Sequence, residues 1–118
     1  MGHTITARPM YSATFIFAKK QYDAEFDRLD AAIMQAAAAD PDFAGQDTWE
    51  NTAKGQTCVV YYWHSMEGLQ RLMKHPDHIT AKQNYQTWYQ GYHVVIAEIL
   101  RSYGDNVFAH PVPVGIKP

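Results

Sequence analysis

Residues near the start of the chain alternate in hydrophobicity with a period of two. In residues 11–18 the odd positions, which share one face of a strand, are Tyr11, Ala13, Phe15 and Phe17. The β-branched and aromatic side chains of this segment also suit a pleated surface. The pattern therefore predicts a first strand over 11–18.

After this strand the period lengthens to that of a helix. Apolar side chains recur every three or four residues from Tyr22 to Ile33, and an alanine run follows at 36–39. This spacing places one apolar stripe on a helix, and alanine has the highest helix propensity. Asp40 precedes a proline, which pushes it out of the α region, so the first helix is predicted to end there.

Two further strands are predicted in the middle of the chain. Residues 57–64 are rich in Val, Tyr and Trp, which fit a half-buried sheet. Residues 43–51 form another strand candidate, and 51–56 between them have turn composition with Gly55. These segments together predict a β-hairpin.

The second helical region is predicted in two pieces that Pro76 separates. Ser65 is the predicted N-cap of the first piece, with Glu67 in its first turn. The second piece carries a stripe that runs from His78 through Ala81 and Tyr85 to Trp88/Tyr89. Gly91 is predicted to stop this helix.

The last strand is predicted over 92–104, so the order of elements is β-α-β-β-α-β. This order is typical of a ferredoxin-like α+β fold, with a four-stranded antiparallel sheet and both helices on one face. The other face also carries apolar side chains and needs a cover. A second copy, sheet against sheet, would supply it, so a homodimer through the sheet face is predicted.

The two ends of the chain differ from this domain, which is predicted over 11–104. Residues 1–10 are short and polar and are predicted to be a flexible N-terminal segment. Residues 105–118 combine three prolines with several apolar side chains. They are predicted to form an extended tail that lies along a neighbouring surface. One predicted arrangement is exchange of the tail with a partner subunit.

Composition narrows the classes of function. A net charge of -2 without a basic stretch disfavours nucleic acid and membrane surfaces as partners. No apolar run reaches the roughly 18 residues that span a bilayer, and the first ten residues lack an export signal. One cysteine excludes an internal disulfide framework. A cytoplasmic location is predicted.

Histidines are concentrated in residues 61–92, which makes a metal site the first chemistry to test. Imidazole is a common metal ligand. However, Pro76 separates His75 from His78, and His64 lies eleven residues before His75. Because no nearby Cys, and no acidic residue beyond Asp77, completes a ligand set, no metal site is predicted.

The same segment resembles a motif of the antibiotic-biosynthesis-monooxygenase family of dimeric α/β barrels. The motif has Tyr-Trp-x-Ser, then His-Pro-x-His-x-x-Ala, then Trp-Tyr-x-x-Tyr, matched by Tyr62, Trp63, Ser65, His75, Pro76, His78, Ala81, Trp88, Tyr89 and Tyr92. The segment "DPDFAG" (40–45) is similar to the family's Pro-Gly-Phe-x-Gly turn, with Asp42 in place of glycine. The resemblance covers about residues 10 to 105. It implies a dimeric α/β barrel and oxygenation of flat polyphenols or quinols without metal or flavin.

A separate branch of that family binds and cleaves haem. It uses an Asn on the first strand, a Trp in the second-helix region and a His about ten residues further on. Here residues 11–18 contain no Asn, and Leu72 and Lys82 occupy the other two positions. Haem cleavage by that mechanism is therefore not predicted, although His75 or His78 could ligate a haem iron.

The predicted function is a monooxygenase that uses no cofactor and acts on a small aromatic or quinol-like ligand. His78 is the candidate base, because an ordinary pKa of about 6.5 suits proton transfer near neutrality. The candidate ligand-binding residues are Tyr62, Trp63, Tyr85, Trp88 and His93. The alternatives are a haem-binding or haem-degrading protein and a non-catalytic small-ligand-binding dimeric barrel. A cavity of about 300 Å³ or more beside His78 would favour a ligand, whereas a filled core would make Tyr85 and Trp88 core residues.

Overall fold

The computed structural model describes residues 9–115, which form an antiparallel sheet with helices packed on one face. The strands are β1 (Met10–Lys19), β2 (Phe43–Asn51), β3 (Gln56–Trp63) and β4 (Tyr89–Ile99). The helices are α1 (Ala24–Ala39), α2 (Met66–Met73), α3 (Pro76–Gln83) and the single turn α4 (Tyr85–Trp88). The strand order β2-β3-β1-β4 confirms the predicted ferredoxin-like α+β fold. Residues 1–8 of the predicted N-terminal segment and 116–118 of the predicted tail lie outside the described residues.

Helix α1 begins at a side-chain cap that also binds the far end of the chain. Asp23 Oδ1 accepts hydrogen bonds from the Phe26 backbone N–H at 2.8 Å and from Trp88 Nε1 at 2.9 Å. The first bond satisfies an N–H group that a helix start leaves without a partner. The second ties Trp88, which is only 3% exposed, to the start of α1. Trp88 therefore anchors the segment that leads into β4.

A polar network joins the end of α1 to the start of α2. Ser65 is the N-cap of α2, as predicted, and its Oγ accepts from the Gly68 backbone N–H at 3.0 Å and donates to Asp42 at 2.7 Å. Arg71 donates to Asp40 and to Asp42, each at 2.9 Å. A hydrogen bond from Arg71 lowers the pKa of Asp40, and hydrogen bonds from Ser65 and Arg71 lower the pKa of Asp42. The network holds the turn at 40–45 against α2.

The predicted continuous stripe from His78 to Trp88 is wrong. Helix α3 ends at Gln83, and Asn84 Nδ2 donates to the Thr80 carbonyl at 2.8 Å at the break. Only the four residues of α4 follow before β4 begins. Pro76 was predicted to interrupt a helix, and in the structure it is the first residue of α3. At this position the helix makes no hydrogen bond to the backbone N–H that proline lacks.

The predicted helix stop at Gly91 is wrong because Gly91 lies inside β4. Tyr89 pairs with Lys19, and Gly91 pairs with Ala18, across a register shift in the ladder with β1. Pairing with the central strand β1 therefore determines the conformation of this segment. It overrides the tendency of glycine to end a helix. At its other end the strand stops at Ile99, five residues before its predicted end.

The tail folds back onto the sheet of its own chain. Val112 is 4% exposed, and His110 Nε2 lies 3.4 Å from the Tyr62 hydroxyl group on β3. Pro111 packs so closely on Gly45 that a Cβ there would lie 3.2 Å from the proline ring. Because Tyr62 and Trp63 are adjacent on a strand, their side chains point to opposite faces. The tail therefore covers one end of the face that the helices leave open.

Candidate functional site

A cavity of about 600 Å³ lies between the sheet and the helices. On the sheet side, every second side chain of a strand points towards the helices and lines the cavity. These side chains include Ala13, Phe15, Tyr61 and Trp63. The helices line it with Phe26, Asp30, Leu72, His78, Lys82 and Tyr85, together with apolar neighbours. The volume is within the range of about 300–1,000 Å³ that small-molecule sites occupy. The space beside the predicted base is therefore open rather than filled by core side chains.

His78 lies on α3, half-buried, and lines this cavity. Burial lowers the pKa of His78, and the charges of Lys82 and His75 lower it further against a weaker opposing interaction with the Met73 backbone. Its Nδ1 is buried without a hydrogen-bond partner among residues 9–115. At neutral pH the ring is therefore uncharged, which is the form that accepts a proton.

Three of the predicted ligand-binding residues line the cavity together with His78, namely Trp63, Tyr85 and His93. Trp63 is fully buried, and its Nε1 has no hydrogen-bond partner in the described part of the chain. Tyr85 packs edge-on against Tyr92 with ring centroids 4.9 Å apart. His93 borders the cavity from the edge strand β4, but it pairs with Ile16, so its side chain lies on the open face of the sheet together with Val95.

The structure places the other two, Tyr62 and Trp88, outside the cavity. Tyr62 is on the far face of the sheet beside His110, since successive strand residues face opposite ways. Trp88 is buried behind the lining, where its indole N–H donates to Asp23. These two aromatic residues hold the fold together, and their prediction as ligand contacts is corrected.

Sequence reasoning missed two tyrosines and a carboxylate in the lining. Burial raises the pKa of Tyr61 to about 12, and burial is also the main cause of the raised pKa of Tyr89. Both phenols therefore stay protonated and can donate hydrogen bonds into the cavity. Strand alternation was a signal for Tyr61, because it shares a face with Trp63. Tyr89 had no such signal because it was predicted to lie on a helix, and nothing in the local sequence marked Asp30 as a cavity residue.

The metal-binding types of side chain among the described residues do not come together as a ligand set. Within residues 9–115 no group of three or more His, Cys, Asp or Glu side chains is placed to hold a metal ion. None of the helices in that range has the length and hydropathy needed to cross a membrane. The predicted cytoplasmic location stays a prediction.

The sheet and the helices define a ferredoxin-like α+β domain. SnoaB, a cofactor-independent oxygenase from Streptomyces nogalater, superimposes with a TM-score of 0.62 at 12% identity, over 84% of this chain and 100% of its own. A Dabb family protein with a ferredoxin-like fold from Mesorhizobium loti gives a TM-score of 0.54 at 13% identity, over 75% of this chain and 95% of its own. At such identities the likeness shows the fold alone. It confirms the fold that the motif at 61–92 implies.

One relative is similar in sequence. The uncharacterised protein YqjZ of Bacillus subtilis is 29% identical over 94 residues, which is 79% of this chain and 82% of that protein. No family model matches the chain. The sequence comparison therefore adds similarity over most of the domain without adding an activity.

The protonation of His78 can be measured directly. We expect its imidazole to titrate below the ordinary value of about 6.5, because burial and Lys82 disfavour the charged ring. Lys82→Gln removes one positive charge and should move the midpoint upward, as followed by the ring proton signals in NMR. Lys74→Gln removes the same charge from a residue that does not line the cavity and serves as the matched control. An equal shift in both variants would contradict the local effect of Lys82.

Proposed function

We propose that the chain is a cofactor-independent monooxygenase that acts on a small aromatic or quinol-like compound. The observation that carries this proposal is the aromatic-lined cavity of about 600 Å³ with His78, its pKa lowered by burial, in its wall. An uncharged imidazole in an apolar cavity is suited to remove a proton near neutral pH. The shared fold with SnoaB supports the same reaction class.

The proposed reaction uses the substrate itself to reduce oxygen. His78 takes a proton from an acidic C–H or O–H group, which leaves a carbanion or phenolate. The anion transfers electrons to O₂ and forms a carbon–oxygen bond, and the resulting peroxide takes a proton back from His78. Loss of one water then leaves a carbonyl group. One O₂ thus converts one CH₂ group, or one ring C–H beside a phenol-derived carbonyl, into C=O and one water.

Negative charge develops on an oxygen atom of the substrate during this reaction. Hydrogen-bond donors that are already held in place stabilise this charge without a conformational change. Tyr61 and Tyr89 supply such donors with their phenol O–H groups, which are protonated at neutral pH and can donate hydrogen bonds. Both line the cavity with His78. In this proposal His78 moves the proton, and the two phenols stabilise the oxyanion.

Oxygen uptake with a panel of hydroquinones and anthrones tests the proposal. We expect saturable uptake of one O₂ per substrate without added cofactor, with an anthrone converted to the anthraquinone and a hydroquinone converted to the hydroxyquinone. Saturable binding without uptake would overturn the oxygenase and leave the non-catalytic ligand-binding barrel. A Soret shift on titration with haem, together with absent uptake, would instead favour haem binding.

We further propose that two copies assemble through the open face of the sheet. Thr14, Cys58 and Val60 share this face with Val95 and Trp49, which are 46% and 62% exposed. Exposed apolar surface of this kind is removed from water when a second copy covers it. The exposed tail residues 103–108 add apolar surface for a partner, and exchange of the tail stays a prediction.

Light scattering tests the assembly. We expect twice the 13.5 kDa of one chain, and we expect Val95→Arg to give the mass of a single chain, because a charge cannot be buried unpaired between two sheets. Ile79→Arg is the matched control, since Ile79 is 43% exposed on α3 and not on the sheet. A mass near 13.5 kDa for the wild type would contradict the dimer.

A further inference from the structure

The mouth of the cavity carries a carboxylate that the proposed reaction does not use. Asp30 lies on α1, exposed at the mouth, and lines the cavity. Burial of part of the carboxyl group and the charge of Asp27 both raise the pKa of Asp30, and no donor or basic group among the described residues acts against them. The salt bridges of α1 join Arg28 to Glu25 and Asp77, so the Asp30 carboxylate has no basic partner among residues 9–115.

Aromatic rings line the same cavity as this carboxylate. Among them are the rings of Tyr61 and Tyr89. Tyr89 in turn meets Phe15 and Phe26 edge-on, with ring centroids 5.6 Å and 5.9 Å apart. A carboxylate next to several aromatic rings is the chemistry that binds an ammonium group, through the ring quadrupoles and the ionic charge together.

The charge of α1 points the same way. Glu25, Asp27 and Asp30 lie on this helix, and Arg28 is its one basic residue. Arg28 is already engaged by Glu25 at 2.8 Å and by Asp77 at 3.7 Å. Asp30 is the acidic residue of α1 that lines the cavity, and the one basic residue of its helix is already paired, which favours a cationic group beside Asp30.

The basic groups of the lining belong to a different helix. Lys82 lies on α3 with His78, whereas Asp30 lies on α1. We propose that the ligand is an aromatic compound with a cationic amine, bound with the amine at Asp30 and its acidic C–H or O–H group towards His78. This inference rests on the ligand-binding part of the proposed function and names its substrate class.

Two ligands that share a phenol ring and differ in the amine test whether the amine contributes to binding. Calorimetry in the absence of turnover compares tyramine, which carries an ammonium group, with 4-ethylphenol, which is neutral. We expect wild-type protein to bind tyramine about fivefold more tightly or better. Asp30→Asn should remove this preference and leave the affinity for 4-ethylphenol unchanged, which also shows that the variant is folded.

Asp27→Asn is the control, because it removes the same charge from the same helix at a residue that does not line the cavity. It should keep the preference for tyramine. Equal affinity of the wild type for the two ligands, absence of binding by both, or an equal loss in the two variants would overturn the inference. If the amine preference is absent while hydroquinones still support oxygen uptake, the proposed function stands and the inference alone fails.

Discussion

Replacing His78 with glutamine is expected to slow oxygen uptake by about 100-fold to 10,000-fold, the range that a general base contributes. Glutamine keeps a polar side chain of similar reach but cannot accept a proton near neutral pH. Because His78 lies in the wall of the cavity and other groups supply most of its lining, ligand affinity should change much less than turnover. Steady-state uptake measured against substrate concentration separates the two effects.

His75→Asn is the matched control for this variant. His75 caps α3, with its Nδ1 accepting from the Asp77 backbone N–H at 3.1 Å, and it does not line the cavity. Asparagine is itself a favourable N-cap, so the helix should persist. We expect normal turnover in this control. An unchanged rate in His78→Gln, or an equal loss in both variants, would show that His78 is not the base.

Replacing Gly68 with alanine is expected to lower the free energy of unfolding by about 1–3 kcal/mol, as overpacking of a close contact does. A Cβ at this position would lie 2.8 Å from Asp42 Cβ and 3.1 Å from Trp63 Cε3. Neither atom moves freely, because Arg71 and Ser65 hold Asp42, and Trp63 is fully buried. Alanine normally stabilises a helix by about 1 kcal/mol relative to glycine, so this substitution should run against the usual sign.

Urea denaturation measures the effect, with Gly91→Ala as the matched control. No atom lies within 4 Å of a Cβ added at Gly91, so alanine there should not lower stability. A denaturation midpoint of Gly68→Ala at or above that of the wild type would contradict the close approach of α2 to the turn at 40–45.

The error in the second helical region has a specific physical origin. Residues from His78 to Trp88 have helical spacing, but the chain breaks at Asn84 because Tyr89 must already pair with Lys19 at the sheet. A local pattern carries no information about a partner strand that lies seventy residues earlier in the chain. The same limit explains why Gly91, a common helix stop, lies within a strand here.

The residues of the candidate site were likewise only partly predictable from local sequence patterns. His78, Trp63 and Tyr85 were predicted and do border one cavity, whereas the side chain of His93 lies on the open face of the sheet. Trp88 was misplaced because a buried aromatic residue on a helix looks the same in sequence whether it lines a cavity or anchors a neighbouring cap. Asp30 was missed because an acidic residue on an amphipathic helix is usually solvated, and only the packing of α1 over the sheet brings it to the cavity mouth.

The sequence by itself determined the order of elements, the caps at Ser65 and the end of α1, and hence the ferredoxin-like fold. These features depend on local periodicity and on hydrogen bonds between near neighbours. Only the tertiary structure decided that a cavity remains between sheet and helices, that Tyr89 borders it, and that Trp88 does not. Such features depend on strand register and on the distance between packed layers, which arise from contacts between residues far apart in the chain.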